Sequence, residues 1–360
     1  MVSPTTAISE QGRLALDEHL SLKQGLGLAF ADVIRYSRSV VEDASVDPVA
    51  AVHEFRKALR RGRALVRLSR PLLGDKTYRE IVQDLREAFL GTSPLRDATV
   101  LLGTLSRLGH QRCTRSARSA LRRLLRSEAA AGAGAAAVVA LEHSVELIAP
   151  LPARFSGCLP PRVHWRQVRE AVAKSFRRAR RARCLAMEDR KDRDVHAFRK
   201  RVKELRYQLE LLAAAQGGKA RHDYHALAAL AEGLGEVTDL TLLRHAVRLR
   251  SVKLAPARPR SLVVALDRRI GSLLGGLFDD SARLFSHRPE RFAARAVQLD
   301  HDAMTRDATA GGIAKRPGRR TADATPARTA HKALVTARRK GPPTFAHAAP
   351  SAGRAARSVK

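Results

Sequence analysis

Cysteine, aromatic and acidic residues are all scarce in this 360-residue chain, and each scarcity excludes a class of protein. The three cysteines, Cys113, Cys158 and Cys184, form neither a CxxC pair nor an even-numbered set. This argues against a disulfide scaffold or a zinc site and favours a reducing compartment. Aromatic residues make up 4% of the chain, too few for the stacking platforms on which single-stranded nucleic acids are bound.

Segments for secretion or membrane insertion are also lacking. The first residues, MVSPTTAISEQGR, have neither the basic nor the apolar region of a secretory signal. The longest apolar run, AAAGAGAAAVVAL from Ala129, is too short and too rich in alanine to span a bilayer. These features predict a soluble, cytoplasmic protein.

Positive charge is what the chain has in excess. Lys and Arg number 67 against 35 Asp and Glu, which gives a formal charge of +32, and 54 of the 67 cations are Arg. So large a charge is normally tolerated because the protein has an anionic partner, and the planar Arg side chain grips phosphate oxygens in pairs. The alternative is a biased composition without such a partner.

Helical periodicity runs through the chain, and no stretch shows sustained alternation of β-branched residues, so the sequence predicts an all-α fold of long antiparallel helices. The predicted helices cover residues 14–44, 48–70, 76–89, 94–108, 114–127, an Ala-rich stretch that ends near 150, 164–187, 194–215, 220–233, 236–250 and 261–286. Asp47 is expected to cap the second of them, with Pro48 in its first turn and Pro71 at its end.

Composition divides the chain into two similar parts and a tail. The proline-rich segment 150–162 is predicted to connect residues 12–150 to residues 163–295. The last 60 residues hold 13 Lys/Arg, three Asp and no Glu, with almost no large apolar side chains. This composition predicts a disordered basic tail over 301–360. Removal of its net +10 leaves about +22 on residues 1–300, so the folded part is basic in its own right.

One phrase occurs twice, as AVHEFRKALRRGRALVRLSR at residues 51–70 and as DVHAFRKRVKELRYQLELLA at residues 194–213. A single offset of 143 aligns both phrases and reaches back into the preceding helix. The repeat predicts two copies of one helical unit, arranged as a pseudo-two-fold pair of bundles.

On a helical wheel, six polar residues of the first phrase and five of the second fall in one arc of roughly 120°, with Phe55, Leu59 and Val66 on the opposite side of the first copy. The arc residues are His53, Arg56, Lys57, Arg60, Arg63 and Arg67 in the first copy and His196, Arg199, Lys200, Lys203 and Arg206 in the second. The preceding helices add Lys23, Arg166, Arg177 and Arg181.

Like charges at this spacing oppose helix formation, so a row of cations matched to a row of phosphates is the preferred interpretation, and an ordinary solvated face is the alternative. Glu210, at the position of Arg67, interrupts the second row. His53 and His196 stand in the first turn of each predicted helix, where a structural role and an anion contact both remain open.

The doubled phrases, each followed by a Gly-to-Asp segment (Gly91 to Asp97, Gly235 to Asp239), resemble the CHAD family over about residues 12–295. The resemblance implies two four-helix bundles related by pseudo-two-fold symmetry, whose basic helices line a central groove or pore that binds inorganic polyphosphate. Carried over by position, it assigns the ligand to the arc residues of both copies. Gly62, in place of the bulky residue found at Leu205, departs from the pattern.

An enzyme is the first competing interpretation. CHAD domains are often fused to a CYTH-type triphosphatase with an ExExK motif, which this sequence lacks, so a non-catalytic binding protein without a cofactor is predicted. The GDKT stretch at residues 74–77 lacks the second glycine of a P-loop. The HDYH stretch at residues 222–225 offers two imidazoles but no third metal ligand. Asp97 and Asp239 are expected to cap helices or to pair with arginines.

A nucleic-acid-binding or chromatin-like protein is the second competing interpretation, because a basic tail binds any polyanion by counterion release. A third is a protein that coats polyphosphate granules or acts as a scaffold, in which the core holds polyphosphate and the tail recruits another surface. Polyphosphate binding by the repeated helices remains the preferred interpretation, because it accounts for both the positive charge and the repeat.

Overall fold

The structure, a computed structural model, describes residues 16, 20–42, 44, 46–92, 97–108, 114–130, 134–213, 219–257 and 259–297. Within these ranges every regular element is helical, so the all-α prediction is confirmed there. The α-helices are α1 (Leu22–Glu42), α2 (Pro48–Leu68), α3 (Asp75–Gly91), α4 (Asp97–Arg107), α5 (Arg115–Ala130), α6 (Gly134–Ile148), α7 (Leu151–Cys158), α8 (Trp165–Asp189), α9 (Asp192–Ala213), α10 (Lys219–Leu249), α11 (Pro259–Phe285) and α12 (Pro289–Ala296). The predicted tail lies outside the described residues.

The helix boundaries recur at the offset of the sequence repeat. Shifted by 143 residues, Leu22 becomes Trp165, the first residue of α8, and Leu68 becomes Leu211, near the end of α9. α1 packs on α2 and α8 packs on α9, so each basic phrase lies on the second helix of a pair. Asp47 caps α2 as predicted, because its Oδ1 accepts hydrogen bonds from the amides of Val49 and Ala50 at 3.1 and 3.0 Å.

The two copies differ most at α10. The ranges of α3 and α4, shifted by 143, fall on the two ends of this single 31-residue helix. The predicted break between residues 233 and 236 is wrong. A glycine costs about 1 kcal/mol in a helix interior, but here Gly233 permits close packing. A Cβ atom at this position would overlap with the Leu277 side chain of α11.

The proline-rich segment 150–162 contains α7, a helix that the sequence did not predict. Pro152 stands in its first turn, where the missing amide has no intrahelical partner in any case, and Pro160 and Pro161 follow its end. Phe155 of α7 is fully buried, with its ring centroid 4.7 Å from that of Phe30 on α1. The segment therefore contributes to the core.

The short helix α12 was also missed, and hydrogen bonds from arginines of α8 and of α12 itself hold it in place. Arg177 of α8 donates to Glu290 at 2.7 Å, and Arg169 of α8 donates to the carbonyl of Val297 at 3.3 Å. Arg295 of α12 donates to both oxygens of Asp223, at 2.5 and 2.6 Å. Some of the positively charged side chains of α8 thus make contacts within the fold.

The apolar faces predicted from the wheel are buried in both copies. Phe55, Leu59 and Val66 on α2 have no exposed surface, and neither do Phe198 and Val202 on α9. The apolar side of each basic phrase therefore lies in the core.

Gly62 serves the same packing on the first copy. A Cβ atom there would lie 3.2 Å from Val33 Cγ1, so the missing side chain lets α1 approach α2 closely. The departure from the family pattern thus has a packing reason.

Candidate anion-binding site

The two basic phrases meet in space, because α2 and α9 pack against each other. Gln208 of α9, which is fully buried, donates from Nε2 to the carbonyl oxygen of Ala64 on α2 at 3.3 Å. A backbone hydrogen bond of 3.1 Å from Leu16 to Leu211 adds to the contact between the copies. The cationic rows therefore belong to adjacent helices.

Two ion pairs cross this interface in a related pattern. Arg61 Nη2 of α2 lies 2.8 Å from Glu210 Oε1 of α9, and both side chains are 5% exposed. Arg67 of α2 pairs with Glu204 of α9. At the 143-residue offset Arg61 corresponds to Glu204 and Arg67 to Glu210, so the two pairs are the same contact made in both directions. Glu210, which interrupts the second row, is therefore the partner of an arginine in the first copy.

Glu204 gathers arginines from both copies. Its Oε2 accepts from Arg67 and also from Arg201, whose Nη1 lies 2.9 Å away. Glu204 is 7% exposed, and its second oxygen, Oε1, is buried without a hydrogen-bond partner among the described residues. One carboxylate oxygen thus holds two guanidinium groups from two helices.

Lys200 lies within electrostatic reach of four arginines, two of which bind Glu204, and we term these five basic residues the central cation cluster. Its members are Arg63 and Arg67 of α2, Arg86 of α3, and Lys200 and Arg201 of α9. Burial lowers the pKa of Lys200, and the neighbouring Arg63, Arg201, Arg67 and Arg86 lower it further. Within the described residues Lys200 makes no ion pair. The cluster therefore holds more positive charge than its carboxylates neutralise.

The pKa values of two arginines of the cluster are likewise set by burial, by neighbouring like charges and by Glu204. Burial lowers the pKa of Arg63, and Arg67 and Arg86 add to the effect while Glu204 opposes it. Burial also disfavours the charged form of Arg67, but Glu204 and Tyr78 outweigh it, so the pKa of Arg67 is raised. Arg67 is thus compensated by its partners, whereas Arg63 lies in a field of like charge.

His196 borders the cluster on α9. It is half-buried, and its Nδ1 is buried without a hydrogen-bond partner among the described residues. Burial lowers the pKa of His196, and the nearby Lys200 and Arg199 lower it further. The imidazole therefore resists protonation until an anion arrives beside it.

In the first copy, a carboxylate pairs with Lys57, which is the residue equivalent to Lys200. Lys57 Nζ lies 2.9 Å from Glu54 Oε2, which also accepts from the Tyr36 hydroxyl at 3.1 Å, and His53 Nε2 lies 3.9 Å from Glu54 Oε1. Burial opposes ionisation of Glu54, but Lys57, Tyr36 and His53 outweigh it and lower its pKa. At the corresponding position the second copy has Ala197, so Lys200 lacks the partner that Lys57 has.

Arg56 lies in the interior of the fold, although the sequence predicted it to lie on the basic face of α2. It is 8% exposed and donates from Nη1 to the carbonyl of Phe89 at 3.0 Å and to Thr92 Oγ1 at 3.2 Å. Its guanidinium carbon lies 3.8 Å from the centroid of the Phe89 ring, and that of Arg60 lies 5.1 Å away. The wheel could not predict this burial, because it depends on α3.

The other predicted residues of α9 are half-buried. A Cβ atom at Gly235 of α10 would lie 3.5 Å from Arg199 Nη2, so glycine leaves room for this guanidinium. Arg206 lies over Tyr207 and Tyr224, with its guanidinium carbon 5.7 Å from each ring centroid. Lys203 is half-buried as well, one turn from Lys200.

Of the predicted residues on α1 and α8, two pair with carboxylates that do not contact the central cation cluster in the described structure. Arg166 and Arg177 are exposed and pair with Glu170 at 3.7 Å and Glu290 at 2.7 Å, respectively. Arg181 is exposed and Lys23 is half-buried. Two members of the cluster, Arg86 and Arg201, were not predicted, since Arg201 falls outside the wheel's basic arc and Arg86 belongs to a helix without the repeat.

The motifs weighed as signs of catalysis have structural roles here. Gly74 and Asp75 begin α3, as expected for a helix start. Asp223, between two exposed histidines, is 2% exposed and pairs with Arg295, and Asp239 pairs with Arg107 at 3.5 Å. Among the described residues no group of three or more His, Cys, Asp or Glu side chains could hold a metal ion. No described helix is both long enough and apolar enough to cross a bilayer.

Comparison with known proteins identifies the family. The CHAD domain family model matches residues 24–248, a range that contains both basic phrases. The chain belongs to the CHAD domain family. A solved CHAD domain from the plant Ricinus communis is similar in fold, with 22% sequence identity and a TM-score of 0.53. The alignment covers 80% of this chain and 96% of the plant domain. No match was found among curated proteins.

The CHAD match ends at residue 248, within α10, so α11 and α12 lie beyond it. α8, α9 and the central cation cluster all lie inside the matched range. In this CHAD chain, Arg177 and Arg169 of α8 connect the matched region to α12 and to Val297, which follows it.

Proposed function

We propose that the protein binds inorganic polyphosphate through the central cation cluster, without a catalytic step. The observation that supports this most is the convergence of cations from α2, α3 and α9 around Lys200, which has no carboxylate partner among the described residues. Polyphosphate is a flexible line of negative charges without bases. It therefore needs closely spaced cations and no aromatic platform.

The ligand-contacting residues of this proposal fall into two groups. The first is the cluster itself, with His196 at its border. The second continues the two rows outward and consists of Arg60, Arg199, Lys203 and Arg206. Lys57 and Arg177 are weaker candidates because a carboxylate already lies within 3 Å of each. Arg56 is assigned to packing, since its guanidinium is occupied by Phe89 and Thr92.

Family membership supports the same ligand, since the sequence resemblance to CHAD proteins implies polyphosphate binding, and the match indicates no catalytic family. In a cell that stores polyphosphate in granules, binding of this kind would bring the protein to the granule. Fluorescence microscopy of the tagged protein, with and without the cluster residues, tests this localisation.

Competition between long-chain polyphosphate and duplex DNA, at about 0.15 M ionic strength, tests the proposal. The decisive variant is Arg63→Glu with Lys200→Glu. Its control is Arg268→Glu with Lys174→Glu, which reverses one Arg and one Lys at exposed positions of α11 and α8. Loss of two charge-assisted contacts should weaken polyphosphate binding by more than about tenfold in the first variant. The control should lose much less.

Nucleic-acid binding is the competing outcome of this experiment. If DNA displaces polyphosphate at equal concentration of charge, and both double variants weaken DNA equally, the basic surface acts as an unspecific polyanion binder. Polyphosphate binding that survives Arg63→Glu with Lys200→Glu would move the site away from the central cation cluster.

A further inference from the structure

Glu204 raises a question about any anion site built on the central cation cluster. It places a buried negative charge among the cations that would meet phosphates. On charge alone, such a carboxylate repels the ligand, and its removal should strengthen binding. Its contacts indicate the opposite role.

The two arginines bound to Glu204 come from different copies. Arg67 projects from α2 and Arg201 from α9, one turn before Glu204 on the same helix, and both meet Oε2. Neither is fully buried, since their side chains are 23% and 35% exposed. Arg67 also interacts with Tyr78. Because a guanidinium carries five N–H donors, each of these partly exposed arginines has donors left for a ligand.

Mutual repulsion would otherwise separate these cations. Arg67 and Arg201 both lie close enough to lower the pKa of Lys200, and Arg67 also lowers that of Arg63. Long flexible side chains that repel one another would spread into solvent, and a ligand would have to gather them again at a cost in conformational entropy. A carboxylate between them removes that cost before the ligand arrives.

We propose that Glu204 is a positioning residue for polyanion binding. It holds Arg67 and Arg201 beside Arg63 and Lys200, so that cations from both copies face the ligand as one preorganised surface. This rests on the proposed function, since it assumes that the central cation cluster is where the polyanion binds.

Glu204→Gln tests the role, and Glu210→Gln is its matched control. Both residues lie on α9, are 7% exposed and pair with an α2 arginine, and both substitutions remove one negative charge. Of the two, Glu204 contacts members of the cluster, whereas the ion-pair partner of Glu210 among the described residues is the buried Arg61. We expect Glu204→Gln to bind polyphosphate about three- to tenfold more weakly than wild type, from partial loss of charge-assisted contacts. Glu210→Gln should bind as wild type or more tightly.

The salt dependence separates positioning from electrostatics. Fewer phosphate contacts make the slope of log affinity against log salt concentration shallower in Glu204→Gln, whereas simple removal of a negative charge makes it steeper. Circular dichroism and thermal unfolding confirm that each variant is folded. Glu204→Asp, which keeps the charge, should recover part of the affinity.

If Glu204→Gln does not fold, Arg201→Lys provides the second test, since it keeps the charge but loses the planar fork that spans Glu204 and a phosphate. The positioning role then predicts weaker binding at unchanged net charge. A folded Glu204→Gln or Arg201→Lys that binds polyphosphate as tightly as wild type, or more tightly, overturns the inference. Absence of binding by the wild-type protein would instead refute the proposed function.

Discussion

Arg61 on α2 and Glu210 on α9 form a buried ion pair between the two copies of the repeat, with Arg61 Nη2 2.8 Å from Glu210 Oε1. The pair is incompletely satisfied, since Arg61 Nε and Nη1 and Glu210 Oε2 lack hydrogen-bond partners among the described residues. Because buried charges are costly to desolvate, a pair of this kind fixes how the helices match more than it stabilises them.

Arg61→Met alone should lower the free energy of unfolding by about 3–5 kcal/mol, because it leaves Glu210 buried without its partner. Arg61→Met with Glu210→Leu should regain most of this loss, since two apolar side chains then meet. Urea titration followed by circular dichroism measures both values. Equal losses in the single and double variants would mean that the pair contributes through packing of its carbon atoms alone.

Arg56→Met should reduce stability rather than affinity. Removal of the guanidinium takes the Arg56 donor from Thr92 Oγ1 and leaves the Phe89 carbonyl with its hydrogen bond from the Thr92 hydroxyl. It also ends the contact with the Phe89 ring, and the total cost should be about 2–4 kcal/mol. Arg199→Met, at the equivalent but half-buried position, should cost less. Thermal unfolding and polyphosphate titration of the same samples give both quantities. If Arg56→Met keeps full stability and loses affinity, Arg56 is the ligand contact that the sequence predicted.

His196 should make polyphosphate binding depend on pH. Its pKa is lowered from 6.5 by burial, Lys200 and Arg199, and a bound phosphate raises it again, so binding takes up a proton. Affinity should therefore increase as the pH falls from 8 towards 6, because the bound state holds the proton more tightly than the free state. His196→Gln should flatten this increase, whereas His143→Gln, an exposed histidine on α6, should not.

Without ligand the same histidine has the opposite effect on stability. Its pKa is lower in the folded than in the unfolded chain, so the unfolded chain binds the proton more readily. The contribution of His196 to stability is present above the unfolded pKa near 6.5 and is lost as the pH falls through the folded pKa. Urea midpoints across this range, compared with those of His196→Gln, check the sign.

Removal of residues 301–360 should weaken binding of polyphosphate and of DNA alike, because the segment carries a net charge of +10 without a motif that distinguishes the two. The preference for polyphosphate should persist, since the central cation cluster is retained. Replacement of the 13 Lys and Arg of this segment by Gln serves as a control of equal length. A reversal of preference on deletion would place the selectivity in the tail.

Residues whose environment follows from their own helix could be predicted from the sequence. Phe55, Leu59 and Val66 recur at the helical period, and all three are buried. The offset of 143 likewise located two helix pairs, because Trp165 begins α8 where the shift of Leu22 requires. The sequence therefore predicted the helical class, the repeat and the side of each helix that faces the core.

Residues whose environment depends on another helix could not be predicted. Arg56 is buried by Phe89 of α3, and Glu210 is neutralised by Arg61, 149 residues away. Arg86 joins the central cation cluster from a helix that carries no repeated phrase. The break predicted at Gly233 failed for the same reason, since the glycine is matched to Leu277 of α11.

The crossed arrangement of the two interfacial ion pairs bears on how a chain with two similar halves arose. Both arginines stand on α2 and both glutamates on α9. Two identical first halves placed in this way would bring Arg61 against Arg67 twice, and two second halves would oppose Glu204 and Glu210. If the chain descends from a duplicated, self-paired ancestor, one residue of each equivalent pair, Arg61 with Glu204 and Arg67 with Glu210, changed sign. After that change, self-association of either half in this geometry would bury like charges against each other, which favours the joined polypeptide over two separate copies.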